Sequence, residues 1–245
     1  MRSLVTFFVE NTPPLRTILI GGPIFLLWSY LSLRFAAYLK RSRGLKTGYS
    51  RKTFHLLTFL TVAVLQHFWG LPLVCLFGGM TSLNVAYAVL RGDGHPLYEA
   101  MAREQDAPYR TYYIVVPYFA TLIGGIVSSF MVGPIALAGY LVGGLGDAAG
   151  EPIGTRWGRH RYQVPSLSSF KSTRSLEGSL GVMLVSLIAL SLAALLSPDL
   201  NFHTNWIWLI PGIAVICALL EAVSPHGWDN ATLQIAPALM VAALL

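Results

Sequence analysis

The chain has 245 residues, of which 54% are hydrophobic and only 11% charged, against about 25% charged in an ordinary soluble domain. This excludes a soluble globular protein and points to one polytopic membrane domain spanning residues 1–245. The formal net charge of +6 fits lysines and arginines placed beside membrane spans, which leaves nucleic acid out as a partner.

A helix needs about 20 apolar residues to cross the hydrocarbon core. Runs of that kind fall at about 17–39, 53–69, 71–90, 111–130, 132–149, 179–197, 206–222 and 231–245. The expected fold is therefore all-α, a transmembrane bundle of about eight spans, or seven with a partial last helix. Met1 to Glu10 is too short an apolar run for a cleavable leader, so none is expected. Gly70-Leu71-Pro72 and Gly133-Pro134 mark tight re-entries between the second and third runs and between the fourth and fifth. Cys75 and Cys217 lie in apolar runs and are expected to pack rather than pair or bind metal.

The charges between these runs give an orientation. Lys40, Arg41, Arg43, Lys46, Arg51 and Lys52 follow the first run, and Arg91, Arg103 and Arg110 follow the third. Arg156, Arg159, Arg161, Lys171 and Arg174 follow the fifth, which makes fourteen of the seventeen Lys and Arg residues. The positive-inside rule puts these loops in the cytoplasm and both termini outside. Lys40, Arg41, Arg43 and Arg103 are expected only to anchor the chain. In the 91–110 loop, Leu97, Tyr98 and Met101 have helical spacing, which predicts a short interfacial helix. Tyr162 to Val164 and Ser168 to Phe170, around Pro165, read as a small hairpin.

A few compact groups carry chemistry. Asp147 and Glu151 are four apart, which puts both carboxylates on one helix face at the end of the fifth run. A divalent cation would keep both ionised, and Mg²⁺ favours one or two carboxylates plus substrate phosphates. The plainer alternative makes Glu151 a solvated charge and Asp147 a cap or an arginine partner. Glycines 143, 144, 146, 150, 154 and 158 crowd around the pair and admit close approach of a helix or a phosphate. Gly144 to Ala149 formally fits a dinucleotide fingerprint but follows a membrane helix, not a strand, and no P-loop string occurs.

Lys171 and Arg174 are phosphate donors, and Glu177 follows them with Ser175 placed to cap the next helix. Lys52 and His55 are three apart and share a face behind Arg51, as a membrane anchor or as a phosphate and acid–base pair. Glu221 and Asp229-Asn230 bracket the last loop, and acidic groups beside a span are functional candidates by default. Asp229 could be a further cation ligand or the base for a hydroxyl proton. His67 and His226 read as structural.

These groups resemble the polyprenol kinase family, the CTP-dependent lipid kinases that include dolichol kinase, phytol kinase and the yeast-type diacylglycerol kinase. The resemblance runs through Arg51-Lys52-x-x-His55, Gly146-Asp147-Ala148-Ala149, Gly154-x-x-x-Gly158-Arg159-His160, Arg174-Ser175-Leu176-Glu177-Gly178-Ser179, then Glu221 and Asp229-Asn230-Ala231-Thr232. It covers about residues 48–245. The chain departs from it at Arg174, where the family usually has Lys, and at Glu151, where a more apolar residue is usual. Residues 168–173 also make a longer loop.

The resemblance implies transfer of the γ-phosphoryl of CTP to a lipid alcohol at the cytoplasmic face. Asp147, with Glu151 or Asp229, would hold Mg²⁺. Arg51, Lys52, Lys171, Arg174, Gly146, Glu177, Gly178 and Asn230 would bind nucleotide or phosphate, and Asp229 or His55 would orient the hydroxyl. The central pattern also resembles CDP-diacylglycerol synthases, cytidylyltransferases that end in a longer acidic signature; Asp229-Asn230 replaces that ending here. A transporter is the third alternative, disfavoured because charge clusters at one face while transporter sites lie near the midplane.

Overall fold

Lipid offers the backbone no hydrogen-bond partner, so long apolar runs satisfy themselves as helices. The computed structural model describes residues 3–165, 172–197 and 206–244. The chain is a helical membrane protein, with one small hairpin among the described residues, and it divides into two units, Met1–Ile114 and Val115–Leu245.

The first unit opens with α1 (Leu4–Glu10), capped by the Ser3 hydroxyl, which accepts from the Thr6 amide at 3.0 Å. Three long helices follow: α2 (Leu15–Arg43), α3 (Thr47–Trp69) and α4 (Leu71–Arg91). The turn at Gly70, with φ +76°, joins α3 to α4 as the expected re-entry, with Pro72 in the first turn of α4. Helix α2 packs on both neighbours. Trp28 donates to Thr61 at 2.9 Å, and Asn84 donates to Ser29 at 2.6 Å and to the Leu26 carbonyl at 2.8 Å. Such polar links hold helices together where lipid supplies no hydrophobic drive between them.

The loop after α4 differs from its expectation. Its helix α5 spans only Pro96–Glu99, and Leu97, Tyr98 and Met101 are buried against protein rather than laid on a lipid surface. Lys40 and Arg103 are likewise more than anchors. Lys40 reaches Glu104 at 2.6 Å and the Glu99 carbonyl at 2.8 Å, while Arg103 grips Asp106 through two bonds at 2.8 and 3.0 Å. Arg110 joins Glu99 at 2.7 Å and Asp93 at 2.6 Å.

Partial burial pushes the Glu99 pKa up. The hydrogen bonds from Arg110 and the Gly94 amide, with the charges of Arg110 and Lys40, outweigh it and lower the value from 4.5 to about 2. A carboxyl with a depressed folded pKa contributes stability that is full above its unfolded pKa and lost as pH falls through the folded one. The melting temperature in detergent should therefore hold from neutrality to about pH 4.5 and fall between there and about pH 2. Glu99→Gln should melt lower at pH 7 and show a shallower acid fall.

The second unit takes most of α6 (Tyr112–Val132), which ends in a 3₁₀ turn at Gly133–Ile135. Gly133, with φ +57°, folds the chain back so that Tyr140 of α7 (Ala136–Leu141) meets Ser129 at 2.6 Å and the Gly125 carbonyl at 3.3 Å. A π turn, Val142–Gly146, leads into α8 (Asp147–Trp157). Strands β1 (Arg161–Val164) and β2 (Ser172–Ser175) form an antiparallel hairpin that feeds α9 (Leu176–Leu196). Two more helices follow, α10 (Trp206–Val223) and α11 (Asp229–Leu244). The expected first strand is present, but its partner is Ser172–Ser175, and Ser168 to Phe170 lie outside the described residues.

Small residues set the packing of this unit. From the end of the π turn along α8, Gly146, Gly150 and Gly154 recur every four residues, and on α9 so do Gly178, Val182 and Ser186. A Cβ at Gly150 would lie 2.8 Å from a Val182 methyl, and one at Gly178 would lie 2.9 Å from the Gly150 carbonyl. Helix α11 enters just as closely: a Cβ at Gly139 would collide with the Gln234 carbonyl, and one at Gly124 would lie 2.7 Å from the Gln234 amide.

The span count differs from the eight expected. Among the described residues, four stretches are long and apolar enough to cross a membrane: Leu15–Arg43, Leu71–Arg91, Tyr112–Trp157 and Leu176–Leu196. The third contains the reversal at Gly133, so residues 132–149 are a broken segment rather than one helix. Helix α3 is long but carries Arg51, Lys52, His55 and His67. The apolar part of α10 is shorter, and α11 has 16 residues, under the roughly 20 of a full crossing. Cys217 is buried, Cys75 is exposed, and both are free thiols.

Candidate functional site

In the second unit, three carboxylates act on one guanidinium. Arg174 lies on β2, directly opposite Tyr162 of β1, so the two side chains share a face of the hairpin. Its Nε reaches Glu221 Oε1 at 2.8 Å, and a terminal nitrogen reaches Asp229 Oδ2 at 2.6 Å. The other terminal nitrogen donates to the Ser224 carbonyl at 3.3 Å. Burial pulls the Arg174 pKa down, but the carboxylates of Asp229, Glu221 and Asp147 outweigh it and hold it above its ordinary value.

Three separate elements deliver those carboxylates. Asp147 opens α8 directly after the π turn and is 3% exposed. Glu221 lies near the end of α10 and is 6% exposed. Asp229 is the first residue of α11, after a turn at Gly227 with φ +91°. Behind Glu221, Ser179 donates to Oε2 at 3.4 Å, and the Tyr162 hydroxyl meets Ser179 at 2.6 Å. Burial pushes the Tyr162 phenol up, so it stays protonated at neutral pH. The Ser224 and Thr232 hydroxyls, 2.8 Å apart, tie the Glu221–Asp229 loop to α11.

The other candidates fall in different roles. Glu151 is half-buried one turn beyond Asp147. Gly146 and Gly178 are filled against the facing helix, where a Cβ would lie 2.5 Å from the Ser186 hydroxyl and 2.9 Å from the Gly150 carbonyl respectively. Glu177 accepts from the His160 backbone amide at 3.2 Å and meets its Nδ1 at 2.8 Å, fastening the start of the hairpin to the start of α9. Ser175 caps α9 as expected, its hydroxyl accepting from the Gly178 amide at 3.1 Å.

The Asn230 amide donates to Thr121 at 2.8 Å and to the Pro117 carbonyl at 3.1 Å, which ties α11 to α6. Lys171 lies outside the described residues. Arg51, Lys52 and His55 belong to the first unit, in the early turns of α3, where Lys52 is 8% exposed and the His55 ring stacks at 4.5 Å on Phe59.

Glu221 emerges as a central partner of Arg174, a role its sequence position alone did not assign. The available signal was a carboxylate at the end of an apolar helix. Tyr162 and Ser179 gave none, because their placement depends on strand register. Among the described residues, no three His, Cys, Asp or Glu side chains form a ready metal cage. Asp147, Glu151 and Asp229 are thus not assembled as a closed set, and Asp229 is held by Arg174.

No family model matches the chain, and no solved structure matches it. The chain is 36% identical over 126 residues to a protein named phytol kinase from Synechocystis sp. (strain ATCC 27184 / PCC 6803 / Kazusa). The aligned stretch is 50% of this chain and 51% of that relative, so the match spans about half the length of each. The similarity supports the polyprenol and phytol kinase family, the one that the motifs resemble.

Proposed function

We propose that this protein is a membrane-embedded kinase that transfers the γ-phosphoryl group of CTP to a lipid alcohol of the phytol or polyprenol class, at the cytoplasmic face. The observation that carries the reading is the part-buried Arg174, held at 2.8 and 2.6 Å by Glu221 and Asp229, with the charge of Asp147 acting on it. The similarity to a phytol kinase supports it.

Phosphoryl transfer asks a protein mainly for positioning and charge stabilisation. Arg174 supplies a planar, permanently charged donor for phosphate oxygens. Lys171 adds positive charge, and Asp229 orients the lipid hydroxyl and accepts its proton.

The acidic oxygens fit a hard cation. Asp147, with Glu151 or Asp229, would hold Mg²⁺ beside the nucleotide phosphates, without the closed protein cage that Mg²⁺ seldom uses. When bound, the ion supplies charge neutralisation on the phosphate oxygens.

The deciding experiment uses purified protein, Mg²⁺, phytol in lipid vesicles, and CTP labelled at either the α or the γ position. Label entering lipid from the γ position is the expected result. Label entering from the α position would instead make the protein a cytidylyltransferase. No label in lipid from either, across phytol, polyprenol, diacylglycerol and phosphatidate acceptors, would remove both enzyme readings.

A further inference from the structure

We infer that Arg174 is a shared cation that changes partners: Glu221 is its permanent anchor, and Asp229 is the partner it gives up when a nucleotide phosphate arrives. This rests on the phosphate-binding role proposed for the site. Arg174 is 12% exposed, and its charge is already met by Glu221 at 2.8 Å and Asp229 at 2.6 Å. An incoming phosphate therefore competes with a carboxylate for the guanidinium.

The surroundings decide which carboxylate yields. Glu221 is deep in the helix packing, its Oε1 3.9 Å from where a Cβ of Gly150 would sit, and Ser179, itself met by the Tyr162 hydroxyl at 2.6 Å, donates to its other oxygen at 3.4 Å. Stripping the cation from a carboxylate so enclosed is strongly unfavourable. Asp229 begins a helix, where the dipole and the Asn230 amide at 3.1 Å stabilise a negative charge after Arg174 leaves. The turn before it carries Gly227 at φ +91°. Release also turns Asp229 from Arg174 toward the lipid hydroxyl or the cation, so phosphate arrival and readiness of the acceptor side become one event. Tyr162 and Ser179 are positioning residues that act through Glu221.

The two carboxylates therefore affect anion binding in opposite directions. Binding of tripolyphosphate and of CTP to the purified full chain is measured in EDTA, by equilibrium dialysis, so that neither cation nor turnover contributes. Asp229→Asn removes the competitor and should bind roughly tenfold tighter, the equivalent of one charge-assisted hydrogen bond returned to the ligand. Glu221→Gln removes the anchor and should bind more weakly, as should the milder Ser179→Ala, which leaves Glu221 in place. Arg174→Ala should abolish the binding.

A simple loss of negative charge would tighten binding in both carboxylate variants, so tightening in Glu221→Gln overturns the exchange. Binding in Asp229→Asn equal to or weaker than wild type also overturns it, as does unchanged binding in Arg174→Ala or no binding by wild type. Should Glu221→Gln fail to fold, unchanged or tighter binding in Ser179→Ala overturns the anchoring role. The kinase reading fails separately, when wild type shows this binding pattern but moves no γ label into lipid.

Discussion

Asp147→Asn should lower phosphoryl transfer by about 10²–10³-fold while leaving the fold intact, the scale seen when one preorganised charge-stabilising group is removed. Asp147 is 3% exposed at the start of α8, and its charge is felt by Arg174. Asparagine keeps the shape but removes the anion that would hold a hard cation. Two roles for Asp147 predict different results. If it only balanced Arg174, the loss would appear in thermal melting and the rate would survive. If it serves phosphate chemistry, the rate collapses and melting moves little. Initial rates with γ-labelled CTP, set beside melting curves in the same detergent, separate the two, and a variant with full activity refutes the chemical role.

Gly139→Ala should be among the most destabilising single changes in the second unit, by about 3 kcal/mol or more, at the upper end of overpacking costs. The added Cβ would collide with the Gln234 carbonyl, part of helix backbone, which cannot swing aside as a flexible side chain would. The Gln234 amide also donates to the Asn230 carbonyl at 2.6 Å and the Thr121 carbonyl at 3.1 Å, so displacing α11 disturbs its link to α6 as well. Because Asp229 heads the same helix, lost activity should accompany the lost stability. The comparison is Gly79→Ala, where a Cβ meets nothing within 4 Å. Melting of the two variants in detergent should differ by many degrees, and equal melting would contradict the packing.

The contrast between these glycines shows what the sequence reveals and what it withholds. A charged residue in an apolar chain is conspicuous, so Asp147, Arg174 and Asp229 stand out without any structure. Glu221 is equally visible, but its partner lies 47 residues away on a strand whose register decides the match. Ser172–Ser175 has no apolar alternation to mark it as a strand; pairing with Arg161–Val164 defines it. Leu97 and Tyr98 have the spacing of a surface helix, yet their burial depends on α2 and α4 being there to receive them. The run at 132–149 carries no charge before Asp147, and apolarity does not distinguish one straight helix from a reversal, a short helix and a π turn.

That π turn works as a phase shifter. Along an uninterrupted α-helix, Gly139 and Gly146 are seven residues apart and point almost the same way, since seven steps of about 100° nearly close two full turns. The wider winding of Val142–Gly146 takes in one extra residue and sets the two halves out of step by roughly a quarter turn. Gly139 can then be tuned to α11 while Gly146, Gly150 and Gly154 are tuned to α9. One rod thus meshes with two neighbours on different bearings, and Asp147, the first residue past the shift, takes its heading from the second gear rather than the first.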